Sequence, residues 1–195
     1  MSAVNFPEIN GETLIQKMSM KIVNSVAVNT SPYTYAQQVQ NMGGSRWEAN
    51  ITLRPMTRTE ALAFQAFMVG LKGQVGTFRL GNPLSTMSNA PSVTVSGGAN
   101  AGALSVAMQV NTGDSLVAGQ EVQIGDHLYI ITDNASASAT TTVGIQPALR
   151  DTRNAGTGIV VNQPKGVWRM KKPEVEWSID KSSMYSFSFS CCEAI

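Results

Sequence analysis

The sharpest alternation of apolar and polar positions lies over residues 45–80. Trp47, Ala49, Ile51 and Leu53 fall on one side, and Arg46, Glu48, Asn50, Thr52 and Arg54 on the other. A period of two predicts a strand with one buried and one wet face. Pro55 ends it, because proline has no N–H to give to a ladder. Thr57-Arg58-Thr59-Glu60 then reads as a capping box. It opens a helix over about 58–72, with Ala61, Phe64, Phe67, Met68 and Leu71 at helical spacing and Gly73 placed for a left-handed cap. Gly76-Thr77-Phe78-Arg79-Leu80 predicts another strand, stopped by Gly81-Asn82-Pro83. This strand–helix–strand unit is a scaffold and holds no reaction centre.

Upstream, residues 14–28 predict a strand in which Met18, Met20 and Ile22 alternate with Lys17, Ser19 and Lys21, with a shift near Val23-Asn24. Asn29-Thr30-Ser31-Pro32 predicts a turn, residues 33–40 a weaker strand or a short helix, and Asn41-Met42-Gly43-Gly44 a flexible turn. Residues 1–12 read as an extended arm with little to pack against, a terminus expected either to be disordered or to dock on a neighbouring subunit.

Past Pro83 the texture changes. Charges become sparse, and short apolar runs at 93–95, 104–110, 121–124, 128–132 and 140–145 are punctuated by Gly, Asn and Asp. That spacing predicts a small antiparallel barrel or sandwich. Residues 121–130 predict a hairpin with Gly125-Asp126 at its tip, and 135–142 a loop entering an edge strand. After residue 163 the first texture returns. Trp168 and Met170 share a face, Val175, Trp177 and Ile179 are expected inward, Asp180-Lys181-Ser182-Ser183 is a turn, and Tyr185, Phe187, Phe189 and Cys191 alternate with polar residues. The last two segments are expected to pair as a hairpin. All three tryptophans lie in the flanks, which argues for one core shared by the flanks. The expected fold is therefore mainly β: an antiparallel β-sandwich built from residues 1–84 and 164–195, carrying one helix, with an inserted small β-barrel or sandwich at 85–163.

Composition narrows the function. Charged residues are 14% of the chain, against an ordinary share of roughly 25%, so the surface is rich in Ser, Thr, Asn, Gln and Gly, as where protein covers protein. The 14 basic and 13 acidic residues are scattered, which disfavours nucleic acid and anionic membranes as partners. The densest basic group, Arg169, Lys171 and Lys172, reads as a solvated strand end. No run reaches the roughly 18 apolar residues that cross a bilayer, and the first residues lack a secretion signal, so assembly in a cytoplasm is expected.

Candidate chemistry is thin. His127, beside Asp126, is the single histidine and reads as an exposed turn residue. Cys191-Cys192 are too few for a zinc or iron–sulfur site within one chain, and Cys191 continues an inward face. Glu174 and Glu176 form the polar face of a strand, and Gly97-Gly98 and Gly113-Asp114 lack the lysine of a phosphate loop. No catalytic, cofactor-binding or metal residue is assigned, and no enzyme activity or cofactor is expected.

The runs Arg46–Phe67 and Leu71–Leu80, with the stretch from Gly113 to Arg150, resemble the distal tail proteins at the tail tip of long-tailed, siphovirus-type bacteriophages. The resemblance implies a virion protein assembled in the host cytoplasm. It implies a homo-hexameric ring that joins the tail tube protein to the baseplate hub carrying receptor-binding proteins. The alternative expectation is a carbohydrate-binding β-sandwich module at the host surface, for which the middle unit offers one aromatic residue, Tyr129.

Overall fold

The computed structural model describes residues 3–9, 12–111, 113–181 and 183–195. In chain order the first strands are β1 (Val4–Asn5), β2 (Glu8–Ile9), β3 (Glu12–Thr13), β4 (Ile15–Thr30) and β5 (Gln37–Leu53). Helix α1 (Arg58–Gly70) and β6 (Thr77–Leu80) follow. Next come β7 (Val93–Val95), β8 (Ser105–Val110), β9 (Glu121–Ile124), β10 (His127–Ile131), β11 (Ala139–Gln146) and β12 (Gly158–Val160). The chain ends with β13 (Gly166–Met170), β14 (Trp177–Ile179) and β15 (Tyr185–Glu193). The fold is mainly β, as the alternation predicts, and α1 is the single helix among the described residues.

The flanks build one sheet in the order β1-β6-β13-β15-β5-β4, with β14 paired to β15; β7 to β12 close into a six-stranded barrel. Register explains the sheet's buried face. Ile51 lies opposite Phe189 and Ala49 opposite Cys191, so the apolar sets of β5 and β15 fall on one side, where α1 covers them. Phe64 of the helix meets Phe187 edge-on at 4.8 Å between ring centres. The capping box forms as read: the Glu60 carboxylate accepts from the Thr57 amide and hydroxyl at 2.9 Å each. Gly73 (φ +63°) ends the turn after the helix, and a Cβ there would lie 2.5 Å from the Pro173 carbonyl oxygen, so only glycine fits.

The structure corrects several expectations. The described part of the N-terminal arm packs on its own chain: β1 pairs parallel with β6, and Phe6 sits among Phe64, Phe67, Phe78 and Phe189. Residues 1, 2, 10 and 11 of that arm lie outside the described residues. Asn41-Met42-Gly43-Gly44 is not a turn; it runs inside β5, because the ladder to β4 continues to Thr30 opposite Gln37. Residues 37–40 are strand, which decides between strand and helix there. The β11 segment is not an edge strand, since it pairs β8 and β10 in a closed barrel. Strand β12 had no counterpart in the apolar pattern: three residues with one buried side chain give no readable period. Trp177 and Ile179 are 38% and 59% exposed although Trp177 lies opposite the buried Phe187, because β14 is an edge strand that pairs β15 alone. The flank core therefore holds Trp47 and Trp168 but not Trp177. Ser182 of the predicted turn lies outside the described residues.

Strand β10 is a wall shared by both cores. Tyr129 and Ile131 point into the barrel, while Leu128 and Ile130 pack on the core of the sheet. This is why its short run of four apolar residues shows no alternation.

Candidate functional site

Two features stand out, a polar joint between sheet and barrel and a ribbon that leaves the fold. The joint begins with β15, whose inward face runs Tyr185, Phe187, Phe189, Cys191 and then Glu193. Alternation carries Glu193 inward beside Trp47 and Trp168, and it is 7% exposed. A buried carboxylate requires donors, and four converge. His127 Nδ1 lies 3.2 Å from Oε1, and Arg150 Nε donates to Oε1 at 3.1 Å. Arg150 Nη2 donates to Oε2 at 2.7 Å, and the Trp47 amide donates to Oε2 at 3.2 Å. Burial alone would push the Glu193 carboxyl up; the bonds from His127 and Arg150, the Arg150 charge and the Trp47 amide outweigh it and hold it below the ordinary carboxylate range. Arg150 also donates from Nη2 to the Ser45 carbonyl at 2.6 Å, and its amide donates to the Tyr129 hydroxyl at 3.0 Å. Trp47 Nε1 donates to the Leu128 carbonyl at 2.8 Å, and Arg79 reaches Asp126 at 2.7 Å. The joint thus ties four stretches of chain: the base of β5, the start of β10, the loop after β11 and the C-terminal strand.

His127 is therefore not an exposed turn residue. It is the first residue of β10, its side chain is 12% exposed, and Glu193 holds it. Its neighbour Asp126 is the tip residue, with Gly125 at φ +68° before it, as a two-residue hairpin turn requires.

On the opposite face of the sheet, Glu48 is 5% exposed although alternation places it on the wet side. Lys171 donates to it at 2.8 Å, Arg46 at 2.9 Å, and Lys21, directly opposite on β4, lies at 3.3 Å. The Lys171 bond acts first against burial, and Arg46 and Lys21 add to it, so the carboxyl is lowered to about 2. Lys171 is accordingly engaged rather than a free member of a basic cluster. Cys191 is buried, and burial pushes its thiol up; Cys192 is half-buried on the outer face, and both are free thiols. Glu174 and Glu176 are exposed, and the Gly97-Gly98 and Gly113-Asp114 stretches are barrel turns. Tyr129, the aromatic residue of the middle unit, is buried inside the barrel and offers no stacking platform.

The second feature is the outer part of the β4–β5 hairpin. Met18, Met20 and Ile22 pack on the core, whereas Val26 and Val28 continue the same side of the strand into solvent beside Val39. From residue 23 to the turn the ribbon rises roughly 25 Å at about 3.3 Å per residue. At its tip Tyr33 is 92% exposed, and the Ser31 amide closes the loop on the Ala36 carbonyl at 2.9 Å. Residues 22–45 contain no charged side chain. Both edges are open, since β4 pairs only β5, and β15 pairs β5 only over residues 48–52. The missed signal was in the sequence: a charge-free run between Lys21 and Arg46, long enough for two strands and a turn. Glu193 and Arg150 carried no such signal, because their partners are remote in the chain.

No described helix is long and apolar enough to cross a membrane. Compared with known proteins, the chain matches no protein-family model and no curated sequence.

Proposed function

We propose that this chain is a structural virion protein of a phage tail tip, assembling as a closed ring of six copies between the tail tube and the receptor-binding hub. The observation that carries the reading is the hairpin of residues 22–45. Exposed strand edges normally carry charges, prolines or covers that block pairing; this ribbon has two open edges, no charge and valines on one face. A two-stranded ribbon is marginal in water unless something packs on it. Its left and right edges belong to different strands, so one copy's β4 edge meets the next copy's β5 edge head to tail, an arrangement that gives a ring when the rotation between copies closes and a filament when it does not. The resemblance of residues 46–80 to distal tail proteins supplies the location, and the low charge of the whole chain suits a protein covered by protein. The role is mechanical, with no reaction centre or cofactor.

Light scattering and electron microscopy of the purified chain and of tail particles test this. The expected result is a closed ring, lost in Val28→Lys or Val39→Lys, with folding unchanged because both positions are exposed. A chain that stays monomeric at high concentration and is absent from tail particles overturns the reading.

A further inference from the structure

The geometry points to a hinge at the base of the hairpin, with Arg150 as its latch. Between the pair Asn24–Ser45 and the pair Val26–Asn41 the ladder loses register, so that Met42, Gly43 and Gly44 on β5 face Ser25 alone on β4. Gly43 sits at φ +74° with no atom within 4 Å of where a Cβ would stand, and a Cβ on Gly44 would lie 3.3 Å from the Ser25 Cβ. The ribbon therefore crosses its weakest point on two glycines, where side chains neither lock nor fill the backbone.

There is room on both sides of that point. A cleft of about 380 Å³ separates Asn24, Asn41 and Gly43 from Gly102, Leu104 and Gln146 of the barrel. A hollow of about 420 Å³ lies beside Val23, Arg46 and Ile195. A ribbon with a glycine bulge at its root and space on either side has the elements of a hinge.

Arg150 ties the sheet end of the bulge, at Ser45, to the barrel. One guanidinium nitrogen, Nη2, donates to both the Ser45 carbonyl at 2.6 Å and Glu193 at 2.7 Å, while Nε fixes the fork on the other carboxylate oxygen. Its backbone amide is held by Tyr129 inside the barrel. Displacing the barrel from the sheet thus pulls the latch off Ser45, the residue that anchors the sheet end of the bulge, and the root about which the ribbon swings is loosened. In an assembled ring this would link the position of each barrel to the set of its hairpin; that consequence rests on the ring reading, whereas the hinge belongs to the single chain.

The test is a distance measurement on monomeric protein under dilute conditions. Spin labels are placed at Thr34→Cys on the ribbon tip and Ala101→Cys on the barrel, in a Cys192→Ser background, with circular dichroism to confirm folding. The parent is expected to give one narrow distance distribution, and Arg150→Ala a broadened or split one. Arg150→Lys keeps a charge beside Glu193 but cannot fork to both partners; it is expected to broaden the distribution as well, and it reads the latch if the alanine variant does not fold. Arg79→Ala, which removes a different sheet–barrel contact, is expected to leave the width unchanged. Distributions as narrow in both Arg150 variants as in the parent, or equal broadening in Arg79→Ala, overturn the latch. Because nothing in this measurement needs a ring, failure of the ring reading shows separately, as absence of assembly in the unlabelled parent.

Discussion

Replacing Glu193 by glutamine tests the joint with almost no change of shape. The carboxylate accepts four hydrogen bonds, two from the Arg150 fork, one from His127 and one from the Trp47 amide. Glutamine has one acceptor oxygen and an NH₂ that donates. Whichever way the amide turns, one N–H of the Arg150 fork faces a donor, and the Arg150 charge, 14% exposed, loses its counter-ion. Removing one partner of a buried ion pair costs about 3–5 kcal/mol. Arg150 retains the Ser45 carbonyl, so the expected loss is about 2–4 kcal/mol, a large share of the roughly 5–15 kcal/mol that holds a domain folded. Denaturant unfolding followed by tryptophan fluorescence is well suited, because Trp47 and Trp168 report the sheet core while the barrel has no tryptophan. The melting temperature is expected to fall by about 5–15 °C at roughly 2–4 °C per kcal/mol. The joint also predicts recovery: Glu193→Leu with Arg150→Met removes both charges together and should regain much of the loss. A Glu193→Gln variant within about 1 kcal/mol of the parent would refute the reasoning and show that the fork contributes no more than a surface pair.

Other expectations follow from the same structure. Phe64→Ala empties the centre of the phenylalanine cluster under α1 and should cost about 3–5 kcal/mol in the same assay. Phe6→Ala tests the arm, and about 2–4 kcal/mol lost would confirm that it stabilises its own chain. Glu48 and Glu60 are both held at about 2 in the folded chain, the first by Lys171 and the second by the Thr57 amide, with Arg54 next. Since their folded values lie below the unfolded one, their stabilisation is complete above about pH 4.5 and is lost as pH falls toward about 2. A melting-temperature titration should show that decline, and Glu48→Gln should make it shallower. Burial pushes Glu121 the other way, up from its ordinary value. Its ionised form therefore opposes folding at neutral pH, and Glu121→Gln should raise stability there by about 1 kcal/mol or less.

The parts of the fold that were legible are those where one local rule decided the outcome. The alternation through Trp47 to Leu53, the capping box at Thr57 and Glu60, and the Gly125-Asp126 turn each specify geometry within a few residues, and each appears as read. The misreadings share a cause: the deciding contact is remote in sequence. Glu48 reads as wet until Lys171 is folded over it, and His127 reads as exposed until Glu193 arrives from the C-terminal strand. Asn41-Met42-Gly43-Gly44 has the composition of a turn, but the ladder from Val26 to Thr30 overrides it. Trp177 shows the reverse case, a residue opposite the buried Phe187 that stays exposed because its strand is an edge.

Leu80 and Gly166, between which the chain departs from the sheet and comes back, face each other as partners in one antiparallel ladder. Residues so paired lie about 5 Å apart, so residues 81–165 hang from the sheet through an opening no wider than a tight turn. The ladder at that point is blind to the length of what it carries. Such a chain is a socket with an exchangeable cassette, provided that the passenger's two ends meet and that it refills the sheet core where Leu128 and Ile130 pack. A further condition is set by Glu193, since a replacement cassette must bring its own cation to that carboxylate or leave it buried and unmatched.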